Sequence, residues 1–344
     1  MKVNHFNSHE KILRYTDKID YFMNAHKTLV VTELDLTNKC NHRCPGCCGH
    51  NENNAELSKE QIDVIIAGLK SLENKGVILS GGGEPTLSPH FSYAIEEIKR
   101  AGMNIGCNSN GGLLDEQKCR VIAQNLEYFR ISLDAGSVPM YEKIHGMKPH
   151  HFAKTLENIE MFARIKTQMD SKISFGIGFL TSQETREDME SFVKLIKDIT
   201  KRQKGIDFVQ FRPFTGDTFD IAPILLELQN KYEEADFKIL ASYQKYNQMH
   251  NAANRGYEKC HGMFFSTCIS ADFKVWACLH FRQSPAHLLG DLREQSLEEI
   301  WRGSRIREVY ESIDCKNCPI LCRNDNFNKT LDKLQLEVIN SEFL

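Results

Sequence analysis

Three closely spaced cysteines that follow an apolar segment constrain this chain more than any other feature. Residues 28–36, Thr-Leu-Val-Val-Thr-Glu-Leu-Asp-Leu, have the β-branched content of a buried strand, and Cys40, Cys44 and Cys47 follow them. Spacings of three and then two residues let one short loop wrap a corner of a metal cluster, whereas a single zinc ion needs a fourth ligand nearby. A site with three protein ligands leaves one metal open. We interpret the adjacent Cys48 as a structural thiol.

Strand and helix patterns alternate after this loop. Apolar runs predict six strands, at 28–36, 77–79, 103–107, 128–133, 172–180 and 207–211. Helical patterns separate them, and the clearest begins at the N-cap Ser58, with Gln61 as its capping-box partner. Because crossover helices join parallel strands, the alternation predicts an α/β fold with a parallel sheet. A partial (β/α)6 barrel and an open doubly wound sheet both fit this pattern.

The turns that follow these strands contain the candidate binding residues, since ligands of parallel α/β folds lie at the carboxyl ends of the strands. The second turn contains Gly82, Gly83 and Glu84. Its glycines let the backbone approach a ligand closely, and Glu84 offers a carboxylate or nearby carbonyl groups to an ammonium group. The third turn contains Ser109 and Asn110 in an Asn-Ser-Asn-Gly-Gly segment, which is also compatible with an ordinary Asn-Gly turn.

Polar groups and glycines also end the later strands. The fourth strand ends in Ser132-Leu-Asp134, the fifth contains Gly176 and Gly178, and the sixth contains Gln210 and Arg212. For these three turns, a purely structural role and a binding role fit the sequence equally well. Six side chains are candidates for substrate contact: Asp134, Tyr141, His145, Arg212, His280 and Arg282.

Cysteines also concentrate in the last third of the chain. Cys260, Cys268 and Cys278 precede a Cys315-x2-Cys318-x3-Cys322 segment. Twelve cysteines in a chain of 344 residues without a signal peptide indicate metal or redox chemistry rather than disulfides. The net charge of −3 is spread along the chain, and no apolar run reaches the length of a membrane span. We therefore expect a cytoplasmic protein that binds neither nucleic acid nor membranes.

The first cysteine loop and the Gly82-Gly83-Glu84-Pro85 turn together resemble the radical S-adenosylmethionine (radical SAM) superfamily. The resemblance implies a partial (β/α)6 barrel in which Cys40, Cys44 and Cys47 hold a [4Fe–4S] cluster. S-adenosylmethionine would chelate the open iron and be cleaved to a 5′-deoxyadenosyl radical. The residue before the third cysteine is usually aromatic and packs near adenine, but here it is Gly46.

The same resemblance implies which residues contact S-adenosylmethionine. The second turn would contact its amino group, and the third turn its carboxylate or ribose. The end of the fourth strand would contact ribose or substrate, and the glycines of the fifth strand would admit adenine. The implied contacts are Gly82, Gly83, Glu84, Ser109, Asn110, Ser132 and Gly178.

The tail resembles the SPASM and twitch extensions of radical SAM enzymes. By position, Cys260, Cys278, Cys315 and Cys318 match four ligands of one auxiliary [4Fe–4S] cluster, and Cys268 and Cys322 have no assigned role. A structural zinc knuckle with four cysteine ligands fits the same pairing. The predicted domains are an N-terminal helical cap (1–28), a barrel (29–213), a helical linker (214–256), the auxiliary-cluster domain (257–325), which is called the tail below, and a final C-terminal segment (326–344).

The resemblance predicts hydrogen abstraction from a substrate, with the auxiliary cluster assisting electron transfer. Peptide-modifying relatives commonly carry a leader-binding module, for which the first 27 residues are too short. We therefore expect a small polar substrate, such as a sugar, an aminocyclitol or a nucleoside, and a flavodoxin- or ferredoxin-type electron donor. A peptide maturase is the alternative, and a non-catalytic iron–sulfur or zinc scaffold is the second alternative.

Overall fold

The computed structural model describes residues 11, 14–23, 29–47, 49, 53–217, 219–250 and 255–334. Cys48, most of the predicted N-terminal cap and the last ten residues lie outside the described residues. Within the predicted cap, one helix is described, α1 (Thr16–Met23).

Ten strands in the described residues form one sheet, in the order β10-β9-β8-β1-β2-β3-β4-β5-β6-β7. Their bounds are β1 Val31–Leu34, β2 Gly76–Leu79, β3 Asn104–Ser109, β4 Tyr128–Ser132, β5 Ser174–Thr181, β6 Phe208–Pro213, β7 Lys238–Ala241, β8 Ser266–Ile269, β9 Lys274–Trp276 and β10 Leu288–Asp291. The pairs from β1 to β7 are all parallel, which confirms the predicted α/β fold.

Helices connect the parallel strands and continue into the tail. The remaining described helices are α2 Lys59–Ser71, α3 Phe91–Arg100, α4 Glu116–Asn125, α5 Val138–His145, α6 Pro149–Gln168, α7 Met189–Arg202, α8 Ala222–Tyr232, α9 Tyr243–His250, α10 Leu297–Arg302, α11 Arg305–Ser312 and α12 Asp325–Leu334. The predicted capping box is confirmed, because Ser58 and Gln61 each accept the other's backbone N–H at the start of α2. Within the part of the chain that is described, no helix has both the length and the apolar character of a membrane span.

The prediction that residues 214–256 are helical is wrong for one segment. Strand β7 lies between α8 and α9 and pairs in parallel with β6, with Val209 opposite Ile239. Ile239 and the preceding Phe237 are buried. An apolar run this short has no periodicity that separates strand from helix, so the neighbouring helical patterns masked it.

The two faces of the sheet differ in polarity. On the face covered by helices, the rings of Phe129 and Phe175 stack at 5.8 Å, and Phe162 of α6 packs against both at 4.9 and 4.5 Å. These three residues are fully buried. On the other face, β4 presents Tyr128 and Arg130, and this inner face carries the polar residues of the site. Alternation along each strand produces the two faces.

The cysteine-rich tail is continuous with the barrel sheet. Strand β8 pairs in parallel with β1, and Cys268 lies opposite Glu33. Strands β9 and β10 then extend the sheet in antiparallel fashion. The tail therefore covers the edge of β1, which would otherwise present unpaired backbone groups.

We predict that Phe175→Ala lowers the free energy of unfolding by about 3–5 kcal/mol, because it leaves a cavity between Phe129 and Phe162. Val64→Ala on α2 is the control, since Val64 is 49% exposed, and it should change stability by less than about 0.5 kcal/mol. Urea titrations of both variants measure the difference. Equal stabilities would contradict this description of the core.

Candidate active site at the carboxyl ends of the strands

The first cysteine loop follows β1 and presents its thiols to one side. Cys40 and Cys47 are exposed, and Cys44 is partly buried. The backbone N–H groups of His42 and Gly49 donate to the sulfur atoms of Cys40 and Cys47, each at 3.4 Å. Burial raises the pKa of Cys40, and it raises the pKa of Cys44 to about 12, so a metal must displace the protons of these thiols.

The glycine-rich second turn packs directly on the cysteine loop. The backbone N–H of Glu84 donates to the carbonyl of Lys39 at 2.9 Å. A Cβ atom at Gly83 would lie 2.1 Å from that same carbonyl oxygen, and one at Gly49 would lie 2.5 Å from the carbonyl oxygen of Gly81. Side chains at these positions would push the loop away. Gly83 is therefore required by the close approach of two backbones.

The Glu84 carboxylate joins the second turn to the third. Its Oε1 accepts from the backbone N–H of Thr86 at 3.1 Å and from the hydroxyls of Thr86 and Ser109, both at 2.6 Å. Its Oε2 accepts from the backbone N–H of Asn110 at 2.8 Å. With four donors on a buried carboxylate, little capacity is left for a ligand. The sequence suggested two groups of this turn as partners for an ammonium group, the Glu84 carboxylate and nearby carbonyls. Because the carboxylate is already engaged, the backbone carbonyls are the better candidates.

The third turn also contacts the cysteine loop. The side-chain amide of Asn110 donates to the side-chain oxygen of Asn41 at 2.7 Å. The Ser109 hydroxyl accepts from the backbone N–H of Gly111 at 2.9 Å. The first three turns therefore form one hydrogen-bonded unit, and the predicted residues Gly82, Gly83, Glu84, Ser109 and Asn110 lie within it.

The fourth turn reaches the same loop through a histidine. The Nε2 atom of His145 lies 2.9 Å from the carbonyl of Leu133, and its Nδ1 lies 3.2 Å from the sulfur of Cys44. Because a carbonyl only accepts, Nε2 carries the proton and the Cys44 thiol donates to Nδ1. Asp134 is buried at φ +53°, and its Oδ2 lies 4.0 Å from His145 Nε2. Ser132 lies two residues earlier, at the end of β4.

Two residues near this turn change the predicted list. Tyr141 is fully buried, and its hydroxyl pairs with Thr155 at 3.2 Å, so it serves packing and not substrate contact. Sequence reasoning missed His42, whose ring nitrogens lack partners among the described residues. Ligand atoms of His42, Cys44 and His145 lie within 4.8 Å of one another. Burial lowers the pKa of His42 to about 3, so its ring is neutral.

The aromatic ring of Phe214 covers Gly46, the residue before the third cysteine of the loop. A Cβ atom at Gly46 would lie 2.3 Å from the Phe214 ring, which follows β6. The ring therefore occupies the space that a side chain before the third cysteine would need. The sequence shows a missing aromatic residue at this position, and the structure supplies an aromatic ring there from a distant segment.

Glycines of the fifth strand have different neighbours. A Cβ at Gly176 would lie 2.1 Å from the ring of Phe208, so this glycine makes room for core packing. A Cβ at Gly178 would lie 3.3 Å from Nη2 of Arg212 and 3.5 Å from Cδ of Arg130. Gly178 therefore lies on the inner face beside two arginines, of which the sequence had indicated only Arg212.

Five of the six tail cysteines form one group. They interact electrostatically with one another and comprise Cys260, Cys278, Cys315, Cys318 and Cys322. The Cys315 thiol donates to Cys318 and lowers the pKa of Cys318 to about 7. A cluster and a single zinc ion, the alternative left open by the sequence, are both compatible with this group of thiols.

Cys268 lies apart from this group, in a buried charge network. Its sulfur accepts from Nε of Arg282 at 3.2 Å. Arg282 also pairs with Asp35 at 2.8 Å and with Glu33 at 3.5 Å, and Glu33 in turn pairs with Arg323 at 2.5 Å. Since Arg282 already has these partners, it is not free for the substrate contact predicted from sequence.

His280 lies beside Cys278, to whose sulfur its backbone hydrogen-bonds, and the charges of Glu33, Arg282 and Arg323 act on its ring. Burial lowers its pKa to about 4, so the ring is neutral at physiological pH. It stays a candidate for substrate contact.

Two protein-family models match the chain. The radical SAM superfamily model matches residues 34–196, and the SPASM model, described as an iron–sulfur cluster-binding domain, matches residues 260–319. A curated relative from Pyrococcus furiosus, the tungsten-containing aldehyde ferredoxin oxidoreductase cofactor-modifying protein, is 22% identical over 336 residues. The match covers 87% of this chain and 89% of the relative.

Solved structures share the fold at low sequence identity. Streptococcus suis SuiB bound to the precursor peptide SuiA matches with a TM-score of 0.66 and 12% identity, over 92% of this chain and 75% of that chain. The structure of anSMEcpe with AdoMet and the Kp18Cys peptide matches with a TM-score of 0.60 and 16% identity, over 86% of this chain and 88% of that chain.

We predict that Gly83→Ala removes the iron bound by the first loop, because the new methyl group would displace Lys39. The control is Gly76→Ala, where the nearest atom to the new Cβ is the carbonyl oxygen of Asn104 at 3.8 Å. Iron per chain after anaerobic reconstitution is the measurement. Full iron content in Gly83→Ala would contradict the dependence of the loop on the turn.

Proposed function

We propose that this chain, which is a radical SAM enzyme with a C-terminal SPASM domain, abstracts hydrogen from a peptide substrate. Its cofactors are [4Fe–4S] clusters and S-adenosylmethionine. The contact of three strand-end turns around the cysteine loop, centred on Glu84, is the observation that supports S-adenosylmethionine binding at this edge of the sheet.

The thiols present fit the clusters. Cys40, Cys44 and Cys47 would hold the first cluster on an open loop. When bound and reduced, that cluster supplies the electron that cleaves S-adenosylmethionine to a 5′-deoxyadenosyl radical. Cys260, Cys278, Cys315 and Cys318 would hold the auxiliary cluster, and Cys322 lies close enough to be a fifth candidate. Cys268 has no part in it, because its neighbours are Arg282 and the carboxylates of β1.

The chain's own residues would orient S-adenosylmethionine. The backbone carbonyls of the second turn would meet the methionyl amino group, since the third turn already engages the Glu84 carboxylate. Ser132 and Gly178 lie on the inner face, where ribose and adenine would fit. The Phe214 ring packs over Gly46 and would exclude water from that side of the cofactor.

Two comparisons support a peptide over the small polar substrate expected from sequence. Both solved structures described above contain a bound peptide, and both share the fold over most of this chain. The chain also carries the SPASM domain itself. A peptide substrate is therefore the favoured hypothesis, and a sugar, an aminocyclitol or a nucleoside becomes the alternative. The electron donor and the cytoplasmic location stay predictions.

We predict that the triple variant Cys40→Ala, Cys44→Ala, Cys47→Ala releases no 5′-deoxyadenosine from S-adenosylmethionine after dithionite reduction. The wild type should hold about eight irons per chain, and the variant should keep about four in the tail. Iron and zinc assays accompany the cleavage assay. Retained cleavage would reject the assignment of the loop, and a variant with one zinc and almost no iron would show a zinc tail instead.

Deuterium transfer tests the substrate class. The reconstituted enzyme is incubated with S-adenosylmethionine, dithionite and either a pool of perdeuterated peptides or a pool of perdeuterated sugars, aminocyclitols and nucleosides. We expect deuterium in 5′-deoxyadenosine from the peptide pool, because the radical takes hydrogen from its substrate. The triple variant is the control. Deuterium that comes only from the second pool would reject the peptide and restore the small polar substrate.

A further inference from the structure

Two arginines converge on the inner face of the barrel. Arg130 of β4 lies opposite Gly176 of β5, and Leu180 of β5 lies opposite Arg212 of β6, so the two arginines share this face. Both approach the position that a side chain at Gly178 would fill. At Gly178 the missing side chain leaves room beside Nη2 of Arg212 and Cδ of Arg130, at 3.3 and 3.5 Å from where a Cβ would lie.

No carboxylate pairs with either arginine in the described part of the chain. The Nε atoms of Arg130 and Arg212 are buried without a hydrogen-bond partner. By contrast, Arg282 pairs with Asp35, and Arg323 pairs with Glu33. Both side chains are partly buried, and a buried Nε atom without an acceptor is costly, so the two unpaired Nε atoms indicate that an anion from elsewhere completes this site.

Neutral groups hold Arg130 in position without balancing its charge. Its Nη1 donates to Oε1 of Gln210 at 2.8 Å, and Nε2 of Gln210 donates to the Ser242 hydroxyl at 3.4 Å. Loss of hydration, reinforced by the charge of Arg212, lowers the pKa of Arg130 to about 9. The guanidinium stays charged at neutral pH, yet its surroundings favour an added anion.

Aromatic rings close the end of the barrel beneath the arginines. The Tyr128 ring lies over Gly106, and the Phe208 ring lies over Gly176, in each case where a Cβ would come within about 2 Å. Glycines in the neighbouring strands thus let two large rings fill this end. A ligand that reaches the arginines therefore enters from the opposite end, where the cysteine loop lies.

We propose that Arg130 and Arg212 form a subsite for a carboxylate group of the substrate. The nearest opposing charge is that of Asp134, which acts on Arg130 without forming an ion pair. The charges of Arg130, Arg212 and Asp134 sum to +1. One carboxylate balances this charge, and a phosphate dianion does not. The subsite rests on the proposed function for its ligand, which is then an acidic side chain or a C-terminal carboxylate of the peptide.

S-adenosylmethionine also has a carboxylate, so the test separates the two sources. The probe is N-acetyl-glutamate amide, and N-acetyl-glutamine amide is its neutral match. Binding to anaerobically reconstituted wild type is measured by ligand-observed NMR, and S-adenosylmethionine binding by equilibrium dialysis. We expect the charged probe to bind the wild type at least about tenfold more tightly than the neutral one.

Arg130→Met and Arg212→Met should each abolish that preference and leave S-adenosylmethionine binding within about twofold. Each should also raise the melting temperature of the ligand-free protein, since it removes a partly buried charge that has no ion-pair partner. Arg164→Met, which removes an exposed arginine paired with Glu116, is the control and should change neither property. A structural role for the arginines would instead lower the melting temperature.

Three results would overturn the proposal. Equal binding of the two probes by the wild type would exclude a carboxylate subsite, even if no variant folds. Weaker S-adenosylmethionine binding in the variants would assign the arginines to the cofactor. A larger rise in melting temperature with inorganic phosphate than with the charged probe would show that the subsite binds phosphate and not a carboxylate. If deuterium transfer from peptides fails while the probe preference persists, the peptide function falls and the carboxylate subsite stands.

Discussion

Two buried carboxylates at the end of β1 hold the two cysteine groups of this molecule in one structure. Asp35 is fully buried and pairs with Arg282, and Glu33 pairs with both Arg282 and Arg323. Both arginines come from the tail, where they follow Cys278 and Cys322 in sequence. Burial, reinforced by the charge of Glu33, raises the pKa of Asp35 to about 6, although Arg282 opposes the shift. Loss of Arg282 would leave the buried carboxylate of Asp35 without a cation, which is strongly destabilising.

This network couples the tail to the cofactor side of the barrel. Asp35 also accepts a hydrogen bond from the backbone of Gly82, in the turn that packs on the first cysteine loop. The sulfur of Cys268 contacts Arg282 of this network. A displacement of the tail would therefore move Asp35 and, through it, the glycine-rich turn. The parallel pairing of β8 with β1 makes such displacement costly, because it would break the sheet.

The fold was predictable where the chain repeats a pattern, and the site where its residues are close in sequence. Six strands and the Ser58 capping box followed from periodicity, and the first three turns followed from their positions after strands. Strand β7 was missed because its apolar run is too short to show a period. The Phe214 ring over Gly46 and the partners of Arg282 join segments far apart in sequence. No local pattern could reveal these contacts, since only the closure of the sheet brings them together.

The charges on the inner face of the barrel are distributed unevenly between its two sides. Near β1, arginines from the tail neutralise the carboxylates, whereas near β4 and β6 the guanidinium groups of Arg130 and Arg212 have no ion-pair partner among the residues described. Inside a poorly hydrated barrel, this asymmetry orients any anionic ligand toward β4 and β6. The cysteine loop lies after β1, on the other side. A carboxylate held by the arginines would thus keep the rest of the substrate pointing toward the loop. The separation between that carboxylate and the reacting carbon would then select which position of the substrate is modified.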